Sequence, residues 1–240
     1  MIAFAGGTML NIFKLTNEKF ISILRRRGAI IGENTVFFSP ENTHFDINKA
    51  FLIKIGNYCK ITSGVTIIAH DYSRSVARRV FKENVGGSAP VTIGDNCFIG
   101  MNSIIMMGTE IGDNCIIGAG SVVKGNFPSN SVIAGNPARI ICSLEEYFLK
   151  RKSKCISEAV ACVKHIYENT GKMPTVRQMG DGFAWLYLPR TQQTADEYPW
   201  LFELSADDKQ SVKKDFLDTK PEFKSFEDFL NYAKKALNIE

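Results

Sequence analysis

The sequence predicts a mainly β chain of stacked three-segment coils followed by a mostly α-helical region, and two observations carry this. The first is a six-residue period: Ile93, Ile99, Ile105, Ile111, Ile117 and Val123 are six apart. A helix calls for period 3.6 and a half-buried strand for period 2, so a period of six fits neither alone. It fits a short strand, a turn, and one inward aliphatic per unit. Three units then make one triangular coil whose backbone bonds run to the coils above and below. The second observation is glycine usage. Of 19 glycines, 14 lie between Gly28 and Gly135 and three follow, so the two halves are built differently.

Residues 1–28 form the entry segment. Thr16 to Arg27 reads as a short amphipathic helix ended by Gly28, and Arg25-Arg26-Arg27 as its solvated end. Met1 to Leu10 is mildly apolar, but no basic region precedes it and no cleavage site follows, which predicts retention in the cytoplasm. No apolar run reaches the length of a membrane span. A net charge of +4 is too small for a nucleic-acid-coating protein, though it suits a phosphate site.

Residues 29–141 carry the repeat. Glycine often follows the periodic aliphatic, at Gly94, Gly100, Gly112 and Gly118. Three positions after it stand Asn96, Asn102, Gly108, Asn114 and Gly120, types that tolerate a left-handed backbone. Four positions after it stand Cys97, Ser103, Thr109, Cys115 and Ser121, all small. The frame recurs upstream at Ile55, Ile61 and Ile67, with Cys59 in the small phase, and at Ile31, 24 residues before Ile55. Cys59, Cys97 and Cys115 therefore read as small buried fillers. The six cysteines form no Cys-x-x-Cys pair, which argues against a zinc knuckle or a thioredoxin-type motif.

The stretches Val91–Asn96, Ile111–Val123 and Ile133-Ala134-Gly135-Asn136-Pro137-Ala138-Arg139 resemble the hexapeptide-repeat acyltransferases, the last being similar to the coil terminator of their sugar O-acetyltransferase branch. The resemblance covers Gly28 to Ile141. It implies a left-handed parallel β-helix, a homotrimer with active sites between subunits, and acetyl-CoA as donor.

The period breaks after Ile67: the next frame residue, Ile93, is 26 positions on. Residues 70–90 are polar and are expected to protrude as a loop, with His70 where coil gives way to arm. Histidine suits base work near neutral pH. The resemblance sharpens this, because Ile61–Asp71 looks like the segment that delivers the family's catalytic histidine. His70 is therefore the expected general base toward a sugar hydroxyl. Asp71 either orients the ring, contacts the acceptor or solvates the loop. Asp46 opens a stretch, to Gly56, that looks like the aspartate-led segment near the acceptor in related enzymes; the alternative is a turn aspartate. His44 has no motif support and reads as a loop residue. Three histidines in all, with His165 outside the repeat, leave too few ligands for the zinc site of a γ-class carbonic anhydrase, and no metal is expected.

By the same resemblance, Gly118 and Ala119 line the groove for the pantetheine arm, and Lys124 and Arg139 approach the adenosine end. Relatives often carry Thr-Lys-Asp-Ile-Pro where this chain has Lys124-Gly125-Asn126-Phe127-Pro128, so Lys124 is either a phosphate ligand or plain surface charge.

Residues 142–240 are richer in aromatic and charged residues. Ser143 and Glu146 make a capping box for a helix running to Asn169 and stopped by Gly171. Two more helices are expected, Asp207–Leu217 and Ser225–Leu237, with Phe183–Leu188 a short strand or a buried segment. This region either covers the coil end, holds a trimer, or contacts a polymeric acceptor or partner enzyme. The whole reads as an acetyl-CoA-dependent O-acetyltransferase of surface-polysaccharide biosynthesis. Its alternatives are an N-acyltransferase on an amino sugar and a non-catalytic structural or binding trimer.

Overall fold

The computed structural model describes residues 15–203 and 207–239. The Met1 to Leu10 segment, on which the expectation about export rests, lies outside them. The chain divides into two compact units, Met1–Ile141 and Cys142–Glu240.

The first unit opens with helix α1 (Asn17–Arg26), capped by the Thr16 side chain, which accepts from the Lys19 N–H. Its buried face sets Phe20 edge-on to Phe37, ring centroids 5.0 Å apart. The strands up to Gly135 fall into three parallel sheets, which the chain visits in turn, and a closing strand joins one of them after a two-residue turn. Numbered along the chain, one sheet holds β1 (Ile30–Ile31), β4 (Ile53–Ile55), β7 (Val91–Ile93), β10 (Glu110–Ile111) and β13 (Asn126–Phe127). The second holds β2 (Val36–Phe37), β5 (Lys60–Ile61), β8 (Phe98–Ile99), β11 (Ile116–Ile117), β14 (Ser131–Gly135) and β15 (Ala138–Ser143). The third holds β3 (His44–Phe45), β6 (Thr66–Ile67), β9 (Ile104–Ile105) and β12 (Val122–Val123).

The register explains the period. Thr92 pairs with Glu110, Phe98 with Ile116 and Ile104 with Val122, each 18 residues on, three units of six. The last residue of each of these strands points inward: Ile93, Ile99, Ile105, Ile117 and Val123 are wholly buried. Burying each such side chain is worth about 1.5–3 kcal/mol. The corners behave as their residue types require. Asn96, Asn102, Gly108, Asn114 and Gly120 all have positive φ, between 53° and 76°. The glycine phase has a different cause, since a Cβ on Gly94 would lie 2.7 Å from the Gly112 carbonyl carbon on the next coil. The thiols of Cys59 and Cys97 are buried and donate to the carbonyls of Gly94 and Gly112, 3.1 and 3.2 Å away, as small fillers would.

Two insertions disturb the period. A pair of 3-10 turns, Pro40–Asn42 and Ile47–Leu52, flanks β3, so Phe45 pairs with Ile67 at an offset of 22. The larger insertion separates β6 from β7. Instead of a bare loop it contains helix α2 (Arg74–Phe81), none of whose residues is buried. A polar, charged segment can satisfy its own backbone as a helix while remaining in solvent, which the period argument alone did not reveal.

The second unit is helical: α3 (Leu144–Thr170), α4 (Val176–Met179), α5 (Asp181–Ala184), α6 (Gln192–Glu197), α7 (Lys209–Asp218) and α8 (Phe226–Leu237). The capping box at α3 forms as its sequence predicts, with the Ser143 N–H donating to Glu146 and the Glu146 N–H to the Ser143 hydroxyl at 2.7 and 3.1 Å. Gly171 ends that helix at φ 67°. Phe183–Leu188 is no strand: α5 and a turn cover it, and Ala184, Leu186, Tyr187 and Leu188 are buried. The core gathers rings around Phe216 and Phe229. Among the described residues, no helix is long and apolar enough to cross a membrane.

Candidate active site

The arm is clamped where it leaves the coils. The Asp71 N–H donates to the Gly87 carbonyl at 2.7 Å, and the Ala89 N–H returns to the Ala69 carbonyl at 3.1 Å. His70 and Ser88 face each other across this antiparallel neck. Gly87 is required there, since a Cβ would stand 2.9 Å from the Asp71 carbonyl oxygen. His70 is thus fixed at the last point of the coil stack before the chain departs.

Its ring partner is Asp46. The Asp46 N–H donates to the Ile67 carbonyl at 3.0 Å, which extends the β3–β6 pairing by one position and brings the carboxylate beside residues 69 and 70. Asp46 Oδ2 accepts from the Ala69 N–H at 3.1 Å and from His70 Nδ1. An ionised carboxylate only accepts, so Nδ1 carries the proton and Nε2 is left with its lone pair. The Asp46 side chain is 4% exposed and the His70 side chain 38%, an arrangement with the carboxylate sealed behind and the imidazole facing out. Both line an open cleft of about 500 Å³ together with His44, Asn48, Thr66 and Ile68.

Asp71 does not orient the ring. Its carboxylate accepts from the Ser73 N–H and hydroxyl, both at 2.7 Å, which closes a local turn at the start of the arm. Those two hydrogen bonds hold its pKa below the usual carboxylate range, with smaller help from the charge of Lys124. His44 also differs from expectation. It lies on β3 and exposes its side chain on the rim of the cleft that contains His70. The offset of 22 between β3 and β6 is not a multiple of six, so no phase of the repeat could have signalled either His44 or the Asp46–His70 contact.

The remaining candidates are dispersed. Gly118 and Ala119 occupy the turn after β11, where the Gly118 carbonyl accepts from the hydroxyls of Ser103 and Ser121 at 3.0 and 2.6 Å. Ala119 is exposed, and its amide nitrogen would lie 2.5 Å from a Cβ placed on Gly100. Lys124 follows β12 in the third sheet and is exposed. Arg139 lies on β15 of the second sheet, exposed, and donates to the carbonyl of its neighbour Ala138 at 2.8 Å.

Comparison with known proteins decides the family. Residues 90–124 match the model described as the hexapeptide repeat of succinyl-transferase. Protein CapG of Staphylococcus aureus is 42% identical over 127 residues, which cover 53% of this chain and 73% of CapG. The chain belongs to the hexapeptide-repeat acetyltransferases. WbbJ of Escherichia coli (strain K12), named for O-acetyl transfer in lipopolysaccharide biosynthesis, is 33% identical over 52% of this chain and 68% of its own length. Galactoside O-acetyltransferase of the same organism is 33% identical over 54% of this chain and 70% of its own length. The protein is accordingly an acyltransferase.

Proposed function

We propose that this hexapeptide-repeat acetyltransferase moves an acetyl group from acetyl-CoA to a sugar hydroxyl in surface-polysaccharide biosynthesis. We further propose that it works in the cytoplasm as a homotrimer of left-handed β-helices, with sites between copies. The observation that carries the reading is the buried Asp46 carboxylate behind the outward-facing His70 imidazole. The names of WbbJ and galactoside O-acetyltransferase support the acceptor class.

A sugar hydroxyl is a weak nucleophile. His70 Nε2 takes its proton as the oxygen attacks the thioester carbonyl carbon, and Asp46 stabilises the imidazolium that forms. The tetrahedral intermediate collapses with cleavage of the carbon–sulfur bond. The proton passes from His70 to the departing thiolate, leaving an acetyl ester and free CoA. His44 and Asn48, on the cleft wall, contact acceptor hydroxyls. Asp71, held by Ser73, forms the entrance. The backbone at Gly118 and Ala119 pairs with the pantetheine arm, and Lys124 and Arg139 meet CoA phosphates. No metal takes part.

The test supplies acetyl-CoA with a panel of neutral and amino sugars and their nucleotide-linked forms, and follows thiol release and product. The proposal expects an alkali-labile acetyl ester. An acetamide on an amino sugar would replace O-transfer by N-transfer. Failure of acetyl-CoA to bind in calorimetry would mark a structural trimer.

A further inference from the structure

The helical unit contains a cleft with no part in the acyl-transfer reading. It measures about 680 Å³, within the range of small-ligand sites. One wall is aromatic and apolar: Phe148, 60% exposed at the start of α3, with Ile156, Trp185 and the buried Leu186. Its charged lining is unbalanced. Arg151 is neutralised by a bidentate pair with Glu158, at 2.8 and 2.7 Å. Lys152, Arg190 and Lys220 also line the cleft, and none of them has a carboxylate partner among the described residues.

Arg190 is the informative member. Its guanidinium is half-buried, lies 4.2 Å from the centroid of Phe216 and 5.6 Å from that of Trp185. Its donors reach the carbonyls of Leu188 and Trp185 and the Thr219 hydroxyl, all neutral acceptors. Burial pushes its pKa down, the direction expected where no anion compensates the charge. A partly desolvated cation beside two further free cations attracts an anion. The anion is not a bare inorganic ion, because the aromatic wall offers a surface that only a larger body covers. Nor is it a plain apolar acid. Glu222, exposed on the same cleft, can accept from hydroxyl donors, which an alkyl tail lacks, whereas the Thr219 hydroxyl is already taken up by Arg190 and the Phe216 carbonyl.

We propose that the helical unit binds a sugar bearing a carboxylate or phosphate. The anionic group lies among Lys152, Arg190 and Lys220, the sugar ring lies on Phe148 and Trp185, and its hydroxyls meet Glu222. The inference stands apart from acyl transfer, and its test uses neither acetyl-CoA nor His70.

The test is calorimetric titration of the full chain with glucuronate, glucose 1-phosphate and neutral glucose, at low and raised salt. The expected result is binding of at least one anionic sugar, weakened by salt, with glucose at least about tenfold weaker, a difference of about 1.4 kcal/mol. The glucuronate and phosphate arms distinguish a uronate-containing glycan from a sugar phosphate as the source. The double variant Lys152→Ala/Lys220→Ala alters two exposed side chains and keeps the fold, verified by circular dichroism. It should lose at least tenfold in affinity, and Phe148→Ala several-fold. Binding of glucose as tight as either anion, binding of neither anion, or full affinity in the folded double variant would each overturn the proposal.

Discussion

The two units build their apolar cores by opposite means. In the repeat unit, each coil contributes the same inward aliphatics, stacked at fixed register, as in Ile61, Ile99 and Ile117 along one sheet. Each contacts its counterparts one coil away. In the helical unit, rings of unrelated sequence position converge. Phe216 meets Trp185 and Phe202 at centroid distances of 5.4 and 5.5 Å, and Phe229 stacks on Tyr187 at 5.1 Å. The difference teaches that a core made of near-identical layers distributes its strength, whereas a core built around two hub rings concentrates it.

The largest effect should separate these cores. Phe216→Ala should cost about 3–5 kcal/mol and Ile99→Ala about 2–5 kcal/mol. Thermal unfolding followed by near-ultraviolet circular dichroism should report loss of the aromatic signal only for the former. Loss of that signal with Ile99→Ala would break the distinction. Next in size is a pair of carboxylate variants. Asp46→Asn should lower kcat about 10²-fold or more, as loss of an orienting carboxylate does in His–carboxylate pairs. Asp71→Asn, whose partners are Ser73 atoms, should stay within about threefold in kcat, since it holds a local turn. Steady-state assays of both variants decide which aspartate serves the ring.

Smaller effects sharpen the comparison. Tyr58 occupies the left-handed corner phase at φ 55°, where its neighbours use Asn or Gly. Tyr58→Asn should stabilise the repeat by about 1 kcal/mol, read as a raised denaturation midpoint. In the other unit, the Tyr187 hydroxyl is buried without a hydrogen-bond partner among the described residues, and burial raises its pKa. Tyr187→Phe removes an unsatisfied group and keeps the ring. It should leave stability unchanged or raise it by up to about 1 kcal/mol, measured by the same denaturation curves.

What the sequence disclosed follows from periodicity. Asn96, Asn102 and Asn114 could be assigned left-handed corners from phase alone, because a six-residue unit repeats one backbone geometry. Ser143 and Glu146 were legible for a local reason, since a capping box needs only four residues. The break after Ile67 drew attention to His70, but its partner was hidden. Asp46 reaches the ring because the turns flanking β3 shift the pairing offset to 22, and an offset outside the period gives this contact no phase to read, although the resemblance had marked Asp46 as near the acceptor. Helix α2 was missed for a related reason: an arm in solvent carries no burial pattern to read. Phe183–Leu188 could be recognised as buried but not as helix and turn, because six apolar residues carry too little periodicity to distinguish the two.

The central claim is that the imidazole at the neck of the arm acts as the base. The direct measurement is acetyl transfer by His70→Ala against the unaltered chain, with the same acceptor at saturating acetyl-CoA, after calorimetry shows that the variant still binds CoA. The expected result is a fall in kcat of about 10²–10⁴-fold with CoA affinity retained. Transfer at the unaltered rate by a folded, CoA-binding His70→Ala protein would contradict it.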